Sequence, residues 1–303
     1  MKSLRTLLFL LIGVGAFCIF LYWSFPYDRL KNRLVTQAQR VLGSGLQLEV
    51  ETLQPNWVTG LELTHVTLRS TTDTKAPPLL AANAILLRAS IFSALFGHPW
   101  AHFRVELAQG LIEGSAQQQD EGVQITLAFS DVALHQFGVI HELTGLRLEG
   151  RVDGESALLV NSAQFKQSHG TINLQLTDWK IAKQSQIKLG PLGAIDLKEK
   201  EYLLTHGDGS AIDVEIDGGK AEVTNCTLKG GDLQLDIKGQ AFLEQQFALM
   251  RLNLKGKVGF SDSLRQLVPV AMFGAASPDN QSYSVELSGP IRSLRKKIGT
   301  FSF

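Results

Sequence analysis

Leu233-Gln234-Leu235-Asp236-Ile237-Lys238 alternates apolar and polar side chains through three cycles, the period of a strand with one buried face and one wet face. Outward from it the same period recurs at Leu46, Leu48 and Val50, from Leu61 to Leu68, from Phe103 to Leu107, and from Val123 to Leu127. It continues at Leu146 and Leu148, at Ile172, Leu174 and Leu176, at Ile212, Val214 and Ile216, at Leu252 and Leu254, and at Val285 and Leu287. One slip of phase falls at His65, where a bulge is expected. Gly218-Gly219, Gly230-Gly231, Asp153-Gly154, Asp208-Gly209 and Asp217-Gly218 carry the residues that turns prefer. These features predict a mainly β chain built on a long, curved antiparallel sheet. A sheet with a single oily face must curl on itself, gain a cover or hold something apolar. Leu174, Leu176, Leu233, Leu235 and Ile237 are the candidates for that apolar groove or core face.

Short helices are predicted at 90–97 (SIFSALFG), 130–137 (SDVALHQF) and 261–272, the last with Ser261 as its N-cap. Segments 71–78 and 275–281 read as surface loops. Before the sheet, YDRLKNRLVTQAQRVL spaces Leu30, Leu34, Val35, Ala38, Val41 and Leu42 at helical intervals. Pro26 suits the first turn of this amphipathic helix, and Gly43 and Gly45 suit its end. Packing on the following sheet is the expectation for its apolar stripe.

Ahead of that helix, the uncharged run from Leu7 to Phe25 holds about 19 residues, or about 29 Å of helix, against a hydrocarbon core about 30 Å thick. A single-pass anchor is predicted, with Lys2 and Arg5 on the cytoplasmic side and the rest of the chain beyond the membrane. A cleaved signal peptide fits less well, since Gly13, Gly15 and Ala16 lie inside the run and bulky residues follow it. The expected organisation is a stub and anchor at 1–25, a linker helix at 26–45 and a periplasmic β domain at 46–303.

The 303 residues carry equal numbers of acidic and basic groups, which argues against nucleic acid as a partner. Two cysteines, one of them inside the predicted anchor, exclude a disulfide scaffold and a cysteine-based zinc site. No nucleophile elbow, phosphate loop, dinucleotide fingerprint or zinc-protease motif occurs, so neither catalytic residues nor a cofactor is expected and the chain is read as no enzyme. His98 and His102 are separated by Pro99, which disfavours a shared helix face, and Asp208, Asp213 and Asp217 lack the closing glutamate of a calcium loop. Arg292, Arg295, Lys296 and Lys297 read as a solvated basic tail.

The anchor running into Phe25-Pro26-Tyr27-Asp28-Arg29-Leu30, the segment from Gly60-Leu61-Glu62-Leu63 to Leu68, SIFSALFG before Phe103 to Leu107, and Leu287-Ser288-Gly289-Pro290 resemble, in order, type II secretion system protein N in its longer version. More loosely the layout is similar to AsmA-like envelope proteins. The first resemblance implies a bacterial inner-membrane protein with a periplasmic β domain, an accessory part of type II protein secretion whose partners are the other secretion subunits. The second implies a half-barrel or open groove that handles phospholipid. Neither brings a catalytic motif to these residues.

Overall fold

The computed structural model describes residues 13, 20, 24–42, 46–57, 59–71, 78–90, 99–138, 146–161, 165–183, 185–188, 194–197, 200–207, 209–244, 250–266, 273–274, 276 and 282–302. Helix α1 (Tyr27–Leu42) leads directly into the sheet. The Pro26 carbonyl accepts hydrogen bonds from the amides of Arg29 and Leu30, so the proline stands at the helix entrance, where its missing N–H costs nothing.

Strands β1 (Leu46–Asn56), β2 (Gly60–Ser70), β3 (Leu80–Ala89), β4 (Trp100–Leu107), β5 (Leu111–Gln119), β6 (Gly122–Ala133), β7 (Leu148–Val160) and β8 (His169–Ile181) pair antiparallel, each with the next. A detour follows. β9 (Gln186–Lys188) and β10 (Ala194–Asp196) form a separate two-stranded ladder, and β11 (Tyr202–Leu203) pairs with the last two residues of β8. The meander resumes with β12 (Ala211–Asp217), which pairs with the first half of β8. It then runs through β13 (Lys220–Leu228), β14 (Leu233–Phe242), β15 (Arg251–Phe260), β16 (Ser282–Pro290), β17 (Arg295–Ile298) and β18 (Phe301–Ser302). Among the described residues this makes one open antiparallel sheet of 16 strands, interrupted by few helices.

The alternation that marks the strands in sequence is what the burial follows. On β14, Leu233 and Leu235 are half-buried and Ile237 is buried, while Gln234, Asp236 and Lys238 are exposed. The core sits on this one face in three groups. Leu53, Leu63, Val66, Leu107 and Val132 form the first, onto which α1 lays Tyr27, Leu30 and Leu34. Leu134, Val152, Leu176 and Leu228 form the second, and Ile181, Leu197, Tyr202, Leu204, Val258, Leu264 and Tyr283 belong to the third. Leu148, Trp179, Leu233 and Leu235 pack against both of the last two groups and make them continuous.

Several local expectations are corrected. At His65 no residue is inserted: Val50 faces Val66 and Thr52 faces Thr64 in one unbroken register, and His65 takes a left-handed conformation (φ 47°) instead. Leu48 and Val50 on β1, and Leu63 and Val66 on β2, still reach the same core group, because both strands change face together. Asp153-Gly154 is no turn and lies within β7. Residues 130–133 end β6 as strand, with Val132 and Ala133 buried opposite Val152 and Arg151, and only Leu134–Gln136 form a 3-10 turn. Tertiary pairing there overrides a helical pattern too short to hold on its own. Arg295, Lys296 and Lys297 are an exposed strand hydrogen-bonded to β16, not a tail.

Ser261 does cap a helix, α2 (Asp262–Arg265), its Oγ accepting from the Leu264 amide; residues 267–272 lie outside the described residues. So do the 91–98 part of the predicted SIFSALFG helix, most of the 71–78 and 275–281 loops, and the predicted span at 7–25 apart from residues 13, 20, 24 and 25. Among the described residues no helix is long and apolar enough to cross a membrane.

Candidate functional site: an apolar face with a cavity at its end

The alternation aligns apolar side chains across the sheet. One cross-strand row runs Phe103, Gly114, Leu127, Ser156, Ile172, Val214, Val223, Gly239, Leu254, Leu287, each facing the next on the neighbouring strand. Its large members are half-buried, and none is fully covered. The adjoining row on the opposite face is polar: Arg104 and Glu113 form an ion pair at 3.0 Å, and Asn225 donates to Asp213 at 2.9 Å.

Leu174, Leu176, Leu233 and Leu235 lie on this apolar face and come together in one core group. Leu174 faces Gly154 and Ile212 from mid-sheet, and Leu176 faces Val152. Leu176 is 3% exposed and Ile237 9%, whereas Leu174, Leu233 and Leu235 are half-buried. Ile237 sits opposite Gly256, away from that group. Four of the five therefore pack with Leu134, Leu228 and Trp179, Ile237 shares the face outside that group, and the Phe103 to Leu254 row continues it as a half-buried strip.

At the covered end, near the 3-10 turn, lies a cavity of about 770 Å³. Leu134, Phe137, Leu146 and Leu148 contribute its apolar surface, and His135, Arg147, Lys183, Glu149 and Glu201 its charged or titratable surface. Backbone ties hold the frame in place. Gln136 accepts from the Ala108 amide at 3.0 Å and donates to the Gln109 carbonyl at 2.6 Å, while the Ala182 amide donates to the Arg147 carbonyl at 2.8 Å. Ser185 accepts from the Arg147 amide and donates to the Ala182 carbonyl.

Lys180 stands between Glu149 at 3.1 Å and Glu201 at 3.4 Å. The Glu149 carboxylate, then Glu201, raises the lysine pKa above its ordinary value, so Lys180 stays charged. Sequence reasoning missed this cavity. Its lining comes from segments between Pro78 and Glu201 that share no spacing or motif.

Among the described residues no group of three or more His, Cys, Asp or Glu side chains is arranged to hold a metal. His102 stacks on Trp100 with ring centroids 6.1 Å apart, and His98 lies outside the described residues. Asp213 and Asp217 belong to β12. Burial, aided by the Asp236 charge, pushes the Cys226 thiol up, which keeps it protonated and a poor nucleophile.

Comparison with protein-family models, with curated proteins and with solved structures finds no match to the chain.

Proposed function

We propose that the chain is an accessory component of type II protein secretion, tethered to the inner membrane by residues 7–25 with its sheet in the periplasm, and that it acts by binding other secretion subunits. The resemblance of its ordered segments to protein N of that system supports the reading. The structural observation that carries it is β1. This strand is 11 residues long and ends the sheet, with no strand on its outer side among the described residues. An edge of that length presents a row of backbone donors and acceptors to which a partner strand can add, although the Glu51 carbonyl of β1 already accepts from Lys31 Nζ of α1 at 3.0 Å. Helix α1 packs on β1 and follows the proposed anchor in the chain, which would hold the edge close to the membrane where inner-membrane subunits stand.

A second reading, lipid handling in the manner of AsmA-like proteins, is favoured by one observation, the half-buried apolar row from Phe103 to Leu254. Affinity capture of the detergent-extracted full chain, with retained proteins and lipids both identified, separates the two. Stoichiometric secretion subunits that are lost in a Gln47→Pro variant of the β1 edge support the first reading. Bound phospholipid without such subunits overturns it in favour of the second.

A further inference from the structure

We propose that the 770 Å³ cavity beside the 3-10 turn is a binding site for a single acyl chain carrying an anionic head, a fatty acid or a lysophospholipid. This inference rests on the lipid-handling reading and gives it a defined site. The volume falls among pockets that enclose one small molecule, about 300–1,000 Å³.

Among the described residues the polar side chains of the lining are already committed to the protein, with three exceptions. Gln136 is taken by the Ala108 amide and the Gln109 carbonyl, Asn83 donates to the Leu107 carbonyl, and Glu149 and Glu201 share Lys180. The side chains of Leu134, Phe137, Leu146 and Leu148 then offer a surface for methylenes and no side-chain donor or acceptor.

The exceptions are Arg147, Lys183 and His135, all exposed. The arginine and lysine side chains make no ion pair or hydrogen bond among the described residues. With Lys180 counted, three fixed cations (Arg147, Lys183, Lys180) stand against two carboxylates (Glu149, Glu201), so the mouth carries an excess of one positive charge. An apolar wall beside two cations that have no ion-pair partner among the described residues suits a chain whose polar end is an anion: the tail gains by leaving water, and the head gains charge-assisted hydrogen bonds, bidentate from the guanidinium.

The test uses the full chain in phosphatidylcholine nanodiscs and a palmitic acid bearing a diazirine on its chain. After irradiation, cross-linked peptides are mapped by mass spectrometry. Saturable labelling of the peptides that contain Leu134 to Phe137 and Leu146 to Leu148 is expected. Competition by palmitate alone identifies the free acid as the fitting form, and competition by lysophosphatidylglycerol identifies a lipid headgroup; hexadecanol, which has no charge, should compete poorly. The Arg147→Gln/Lys183→Gln double variant should lose labelling by about tenfold with unchanged melting, as the loss of charge-assisted hydrogen bonds implies. Ala81→Trp, which fills the cavity from β3, should abolish it.

Saturable labelling confined to the Phe103 to Leu254 row, or equal competition by hexadecanol, overturns the cavity site while leaving lipid handling in place. Absence of labelling anywhere on the sheet overturns both. Loss of secretion subunits on capture bears on the secretion reading alone.

Discussion

Gly154 shows how one residue can be misread and still be decisive. Next to Asp153 it carries a turn signature, yet it sits in mid-strand at φ 149°, where a side chain is strained. A Cβ there would also press on the Asn173 carbonyl oxygen and the Leu174 Cα of β8, both backbone atoms that cannot swing aside. Gly154→Val should therefore lower unfolding stability by about 2–4 kcal/mol in chemical denaturation of the full chain.

Asp232 has the opposite character, a residue no motif announces that ties three elements. Its carboxylate accepts from Ser261 at 2.6 Å, from Ser263 at 3.0 Å and from the Leu203 amide at 3.0 Å, linking β14 to α2 and β11. Burial pushes its pKa up, but these hydrogen bonds and the Lys200 charge outweigh burial and hold it below the ordinary carboxylate value. A depressed folded pKa means that the unfolded chain binds the proton more readily. The stabilisation is thus complete above the unfolded value of about 3.9 and is lost as pH falls through the lower folded value. Asp232→Asn should cost about 1–2 kcal/mol at pH 7, and its melting curve should begin to approach that of the parent as pH falls past about 3.9 and meet it only below the lower folded value.

Helix α1 illustrates which elements sequence patterning reveals. Its period of 3.6, its proline entrance and the change to period two at Leu46 are all local, and the helix and first strand follow them. The 130–137 segment shows the limit, since its fate is set by Val152 and Arg151 on another strand. The α1 stripe of Tyr27, Leu30 and Leu34 closes one core group, while Arg29, Arg33 and Arg40 stay exposed. Replacing Leu30 and Leu34 together with serine should remove about 2–3 kcal/mol of apolar burial, discounted for their half-buried state. Hydrogen exchange should then quicken in β1 and β2 and stay unchanged in β14 and β15; equal acceleration in both regions would mean that the helix supports the whole sheet.

At the scale of the molecule, the strand-rich class and the single apolar face were legible because each strand carries its own alternation. The five residues singled out in sequence share that face, but the neighbours of four of them were not legible, since Leu134, Leu228 and Trp179 reach Leu174, Leu176, Leu233 and Leu235 only through pairing. Nor was the left-handed pair Asp131 and Asp178, which Arg151 bridges at 3.3 Å and 2.7 Å across three strands. That bridge is exposed and should weaken with added salt.

The strand order itself has a consequence for how the protein is made. Except where β8 meets β12, every ladder in the main path joins strands that follow one another in the chain, so little sequence lies between pairing partners. A chain made from its N-terminus can close each hairpin as soon as its second strand is complete, and each closed strand becomes the template for the next. Assembly is then vectorial. Its slowest stage should be the β8 to β12 junction, where about thirty residues must be added before the growing edge finds its partner.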